Sequence, residues 1–313
     1  MQKRSLPPSN ARKLTDLWLD GASPSESDLR AASSLAARLA SFDGMQPFSG
    51  VVQSLVDHVS CPDLNLDEAR RLIESDPALA ARILGVANSA AYRAYGPCAS
   101  VAQAIVRIGA NNVSGLAMAM SAMTLFKDMG GVGQKIRDHS AGTAAVAREL
   151  AMCLDLAALS SKVFLAGLLH DLGKLLLIQT GDVGYAALVA QELSPSSLHL
   201  REQALWGFDH AMLGAHVLLS WNIPAPIPHL IACHHQPKGG HGGASAFAKA
   251  LDLLRLADVV DWLLGQGCAA DSSWVQRLAE SPDGARVGLG EETLPSLWDD
   301  LQTIREEALL VFK

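Results

Sequence analysis

Nine of the ten histidines in this 313-residue chain lie between His139 and His241. The sharpest local feature among them is Ala166-Gly167-Leu168-Leu169-His170-Asp171-Leu172-Gly173-Lys174, an imidazole and a carboxylate set in an apolar run. Burying two such groups unpaired is costly, so either they satisfy each other and the backbone or they bind a metal. An adjacent imidazole and carboxylate suit borderline divalent cations such as iron, manganese, zinc or nickel. Further candidate ligands recur in comparable settings: His139, His210 in Asp209-His210-Ala211-Met212-Leu213-Gly214, the pair His234-His235 before Gln236-Pro237, and Asp258 in Leu256-Ala257-Asp258-Val259-Val260-Asp261. Consecutive helical residues diverge by about 100°. His234 and His235 therefore serve one site only if they reach different ions or if the helix frays there, and two ions bridged by Asp171 fit that requirement. Any one of these residues alone reads as a capping or hydrogen-bonded helix residue.

These side chains need helices to hold them. Aromatic residues are 5% of the chain while Ala, Leu and Val dominate, a balance that favours close-packed helices over strands and predicts an all-α fold. Between Pro47 and Phe126 short capped helices follow one another. Asn65 precedes the acids Asp67 and Glu68, Asp76-Pro77 pairs an N-cap with a proline at the first helical position, and Ser100 with Gln103 forms a capping box closed by Gly109. Val113 to Phe126, with Met118, Met120 and Met123, is apolar throughout and predicts a buried helix. After the glycine-rich break at Gly130–Gly133 a second block runs to about Gly265. In it His139 opens one helix, Val163 to Ile178 forms the next, Asp209 caps a third, and Pro226 to His235 and Ala244 to Leu264 supply two more. The run Gly239-Gly240-His241-Gly242-Gly243 reads as a flexible connector. Helical spacing puts Asp258 beside the Leu253, Ala257, Val260 and Leu264 stripe and so at least partly out of solvent. Asp261 reads as part of a solvated face or a salt bridge with a neighbouring cation, ahead of the alternative that it orients a metal ligand as an acceptor behind it. The expected division is a tail and helix over 1–44, one domain over 45–265 with sub-blocks 45–129 and 134–265, and a C-terminal extension of two helices over 266–313.

Charge and composition exclude some functions. Lys plus Arg number 25 against 32 Asp plus Glu, a formal net charge of −7, and no basic run suggests a nucleic-acid polymer as partner. The five cysteines are scattered, odd in number and without a Cys-x-x-Cys pair, so they read as reduced, mostly buried thiols. No apolar run approaches the roughly 20 residues that span a bilayer, and no apolar segment follows the N-terminal basic residues as in a secretory signal. The expectation is a cytoplasmic protein with no membrane partner.

The order His, His-Asp, His, His-His, Asp resembles the HD superfamily of metal-dependent phosphohydrolases. The upstream block resembles one branch of it, the HDOD (HD-related output domain) signalling proteins. The phrases that carry this are Ile73-Glu74-Ser75-Asp76-Pro77-Ala78-Leu79-Ala80-Ala81-Arg82-Ile83-Leu84, then Ala87-Asn88-Ser89-Ala90, then Ser100 to Gly109 with Gln103-Ala104-Ile105 inside it, and the match runs from about Pro47 to Leu264. The resemblance implies an all-α regulatory or output module that acts through signalling partners. Carried over from catalytically active HD-GYP relatives, His139, His170, Asp171, His210, His234, His235 and Asp258 correspond to a two-metal ligand set. Lys174 corresponds to the lysine that contacts substrate phosphate, with Asp171 its catalytic companion. Two departures stand out. Gln236-Pro237-Lys238-Gly239-Gly240 replaces an acid followed by the Gly-Tyr-Pro substrate motif, and Lys135 stands where three-metal members carry Glu.

Two functions follow from that resemblance. The first is a signalling module with a two-ion site (Fe, Mn, Zn or Ni) working through protein contacts. The alternative is a metal-dependent phosphohydrolase acting on a cyclic dinucleotide or another phosphoester, in which bound cations polarise the phosphoryl oxygen and acidify a water.

Overall fold

The computed structural model describes residues 26–41, 50–59, 66–89, 91–92, 96–124, 126, 129–180, 184–191, 197–221, 223, 225–236 and 245–312. The expected N-terminal tail and the glycine-rich connector at 239–243 lie outside them. Among the described residues the chain is all helix with no strand: α1 (Glu26–Ala40), α2 (Gly50–Val59), α3 (Leu66–Glu74), α4 (Pro77–Asn88), α5 (Val101–Ile108), α6 (Ala110–Thr124), α7 (Gly130–Cys153), α8 (Ser160–Leu169), α9 (Leu172–Gln179), α10 (Tyr185–Ala190), α11 (Leu198–Trp206), α12 (His210–Ser220), α13 (Ile227–Cys233), α14 (Ala246–Gly265), α15 (Ser273–Ala279), α16 (Pro282–Val287) and α17 (Thr293–Val311).

Asp76, Ser100 and Asp209 cap helices as the sequence predicts, while Asn65 lies outside the described residues. Asp76 accepts from the backbone N–H of Ala78 and Leu79 with Pro77 opening α4, Ser100 accepts from Gln103 N–H, and Asp209 accepts from Met212 N–H. The Asn88 amide closes α4 by bonding both backbone groups of Cys98. Met118, Met120 and Met123 are buried in α6.

Helix α7 lies at the centre, packed against α8, α14 and α17, while α9 packs on α12, α12 on α13, and α13 on α8. One continuous apolar core runs from Leu35 to Leu301 and takes in both helical blocks. Two glycines set how closely the central helices approach. A Cβ on Gly167 would sit 2.8 Å from the Ala144 backbone, and one on Gly173 would sit 1.9 Å from the His210 carbonyl oxygen. Hydrogen at these positions lets α8 lie on α7 and α9 on α12, which brings His170-Asp171 between His139 and His210.

Three local expectations are corrected. Helix α7 starts at Gly130, so His139 sits in mid-helix. Burial of Ile136 and Arg137 near its start offsets the roughly 1 kcal/mol that each glycine costs in a helix. The run Val163 to Ile178 divides into α8 and α9, with His170 and Asp171 forming the break. The C-terminal segment makes three helices, because Ser281-Pro282 caps and starts α16. No helix among the described residues is long and apolar enough to cross a membrane.

Candidate metal centre

The break between α8 and α9 points His170 and Asp171 inward, and the surrounding helices bring every candidate ligand to the same place. His139 Nε2 lies 3.0 Å from Asp258 Oδ1 and 3.9 Å from Asp171 Oδ2. His170 Nε2 lies 3.5 Å from Asp171 Oδ2 and 3.8 Å from Asp258 Oδ1. On the other side His210 Nε2 lies 3.2 Å from Asp171 Oδ1 and 3.1 Å from His235 Nε2. Lys174, buried one turn along α9, places Nζ 2.9 Å from Asp171 Oδ2. Three overlapping groups have ligand atoms mutually within 4.8 Å: His139, His170 and Asp258; His170, Asp171 and His234; His210, His234 and His235.

What lies behind the rings decides which nitrogen faces inward. His139 Nδ1 donates to Asp261 at 2.7 Å and His210 Nδ1 to Glu202 at 2.7 Å. His170 Nδ1 donates to the Gly167 carbonyl at 2.7 Å and His234 Nδ1 to the Ile231 carbonyl at 2.6 Å, each within its own helical turn. With Nδ1 engaged as donor, each ring turns Nε2 toward the centre, the usual arrangement behind metal-bound histidine. Glu202 also accepts from His210 N–H and from the Tyr185 hydroxyl. The Arg255 guanidinium donates to the carbonyls of Cys233, His234 and Gln236, which closes α13 and fixes the segment carrying His234 and His235.

The centre holds buried polar atoms with no hydrogen bond: Nε2 of His170, Nε2 of His234 and both carboxylate oxygens of Asp171. The contacts of Asp171 with Lys174 and His210 are close enough for charge pairing but lack hydrogen-bond geometry. Each unmade bond at a buried group costs about 1–3 kcal/mol. This set of nitrogen and oxygen donors suits a borderline divalent cation, so the residues fit the ions that the ligand order implies.

Charges divide across the site. Burial pulls His139 down, but its hydrogen bonds to Asp258 and Asp261 outweigh it and push the ring up to about 10. His210 follows the same pattern, raised to about 10 against its burial by Glu202 and Asp171. Burial depresses His170, His234 and His235, leaving them neutral and able to ligate. Asp171, opposed by burial, is held well below the usual carboxylate range by His170 and Lys174. Asp258, likewise opposed by burial, is held at about 2 by its bond to His139.

A cavity of about 510 Å³ opens onto the centre at His139, Asp171 and Lys174, with Lys135, Trp262 and Arg305 on its wall. Asp261, expected on a solvated face or in a salt bridge, is 1% exposed and pairs with Arg305; its spacing of three from Asp258 was the available signal. Glu202 and Arg305 carry no such signal, because helix packing alone brings them to the site. Outside the candidate ligand set, His216 is buried and bonded to the Met212 carbonyl, and His199 stacks on His235 at 4.4 Å. Among the described cysteines all are free thiols, with Cys98 and Cys233 buried, Cys268 partly buried and Cys153 exposed.

An all-helical domain with histidines and aspartates converging at a helix break defines an HD-type module. The chain belongs to the HDOD family, whose domain model matches residues 45–237. Asp258, Asp261 and Arg305 lie beyond that span. An uncharacterized protein of Treponema pallidum (strain Nichols) is 25% identical over 177 residues, which are 56% of this chain and only 34% of that protein's length. Three solved structures share the fold. An HDOD domain protein of unknown function from Geobacter sulfurreducens has a TM-score of 0.69 at 21% identity, covering 90% of this chain and 97% of its own. A protein of Shewanella amazonensis SB2B, provisionally named a phosphohydrolase, has a TM-score of 0.68 at 22% identity over 89% and 98%. One from Marinobacter aquaeolei VT8, provisionally named a signal transduction protein, has a TM-score of 0.62 at 21% identity over 91% and 65%.

Proposed function

We propose that this chain is a cytoplasmic HDOD signalling module built on a centre for two divalent transition-metal ions, and that it acts through contacts with protein partners. Four buried donor atoms on His170, His234 and Asp171, facing one another without hydrogen bonds, carry the metal reading. His139, His170, Asp171 and Asp258 would hold one ion and His210, His234, His235 and Asp171 the other. The signalling name of the Marinobacter protein supports the role, as does the absence of a Gly-Tyr-Pro motif after His234-His235.

A second reading, a metal-dependent phosphohydrolase acting on a cyclic dinucleotide or other phosphoester, draws on the cavity that opens at His139, Asp171 and Lys174. The bound ions would supply Lewis-acid polarisation of the phosphoryl group and an acidified water. Lys174 would bind and neutralise the phosphate, Asp171 would orient that lysine, and Asp261 and Glu202 would hold the imidazoles in register.

Turnover assays separate the two readings. Metal-loaded protein that retains its ions yet turns over neither cyclic dinucleotides nor simple phosphodiesters supports the non-catalytic module. Turnover that disappears in Asp171→Ala overturns it in favour of the hydrolase.

A further inference from the structure

Asp261 Oδ2 accepts from His139 Nδ1 at 2.7 Å, and its other oxygen accepts from Arg305 Nε on α17 at 2.8 Å. One turn earlier on α14, Asp258 meets the opposite nitrogen of the same ring at 3.0 Å. The imidazole of His139 is thus bracketed at both nitrogens by carboxylates of one helix, and the outer carboxylate is tied to the C-terminal helix.

The packing leaves space for this chain of contacts and no more. A Cβ on Gly142 would stand 1.8 Å from Asp261 Oδ1 and 3.1 Å from Arg305 Cγ, and one on Gly265 would stand 3.1 Å from Arg305 Nη2. Ile304 and Ala308 of α17 bury against Ala145 of α7, which sets the register that delivers Arg305 to Asp261.

We infer that Arg305 and Asp261 are positioning residues for the metal centre, so that the C-terminal helix, outside the family-matched span, is a working part of the ligand sphere. Arg305 fixes the rotamer of Asp261, and Asp261 fixes the ring plane and tautomer of His139 so that Nε2 faces the ion. Partners of this kind typically contribute roughly 10–100-fold in metal affinity. The inference rests on the proposed two-ion centre, and its dependence on α17 is independent of whether the site is catalytic.

The test uses the full chain purified without chelator, with metal content, the affinity for added zinc and the melting temperature as readouts. Wild type should carry two equivalents. Arg305→Gln and Asp261→Asn should each lose the ion on the His139 side, keep the one on the His210 side, and bind zinc at the first position roughly tenfold or more weakly. Arg305→Lys should restore much of the loss. Gly142→Ala should reproduce it by displacing Asp261. A residue that merely held α17 in place would lower the melting temperature without removing one ion selectively. Both ions retained at wild-type affinity in Arg305→Gln or in Asp261→Asn overturns the inference. An empty wild type overturns the two-ion reading instead, and its affinity for added zinc, compared with that of Arg305→Gln, then decides the positioning role by itself.

Discussion

Oδ1 of Asp171 lies 3.2 Å from His210 Nε2, while its Oδ2 faces His139 and Lys174. One carboxylate therefore spans both halves of the centre, whereas Asp258 meets only the His139 and His170 side. Asp171→Asn is expected to lose both ions and Asp258→Asn only one, as measured by metal stoichiometry after gel filtration. Equal losses in the two variants would count against a bridging role.

Metal loading should release protons. In the metal-free protein the rings of His139 and His210 stay protonated up to about 10, and ligation through Nε2 requires the neutral ring. Each ion displaces one proton, so its affinity should fall about tenfold for each pH unit lowered through the neutral range. Calorimetry in buffers of different ionisation heat checks this, and a pH-independent affinity would contradict it.

Glu202 has a structural share as well as a positioning one. It accepts from His210 N–H, His210 Nδ1 and the Tyr185 hydroxyl in a fully buried place. Glu202→Ala should destabilise the metal-free protein by about 2–3 kcal/mol and Tyr185→Phe by about 1 kcal/mol in urea unfolding. Equal effects would mean that the hydroxyl rather than the histidine dominates the carboxylate's contribution.

The glycine contacts give a stability contrast. Gly173→Ala drives a Cβ into the His210 carbonyl and should cost about 3 kcal/mol or more by forcing α9 from α12. Gly131, in the first turn of α7 with open space around its Cβ position, should accept alanine with a gain of about 0.4–1 kcal/mol. Thermal melts of the two variants decide it.

Much of this was legible from local chemistry. Asp76, Ser100 and Asp209 announce helix starts because a cap bonds residues two or three positions away. The order of the candidate ligands was readable because the residues themselves are the chemistry. The division at His170-Asp171 was hidden, since a helix buried on every side has no polar periodicity to mark its end. Arg305 stands 44 residues from Asp261 and Arg255 about 20 from the carbonyls it closes, and only tertiary packing brings such partners together.

Cys153 is exposed but should react slowly. Burial of the thiol, followed by its bond to Glu149, pushes it up to about 11. At pH about 8 little thiolate is present, so alkylation should run roughly tenfold or more below an unperturbed cysteine and speed up in Glu149→Gln. A free-cysteine rate in the wild type would contradict this environment.

The central claim is that the inward-facing imidazoles and Asp171 hold a pair of transition-metal ions. Elemental analysis of the full chain purified without chelator tests it most directly. Two equivalents of iron, manganese, zinc or nickel are expected in the wild type, lost in the His170→Ala, Asp171→Ala double variant. Less than about half an equivalent in the wild type, unchanged in that variant, would contradict the account.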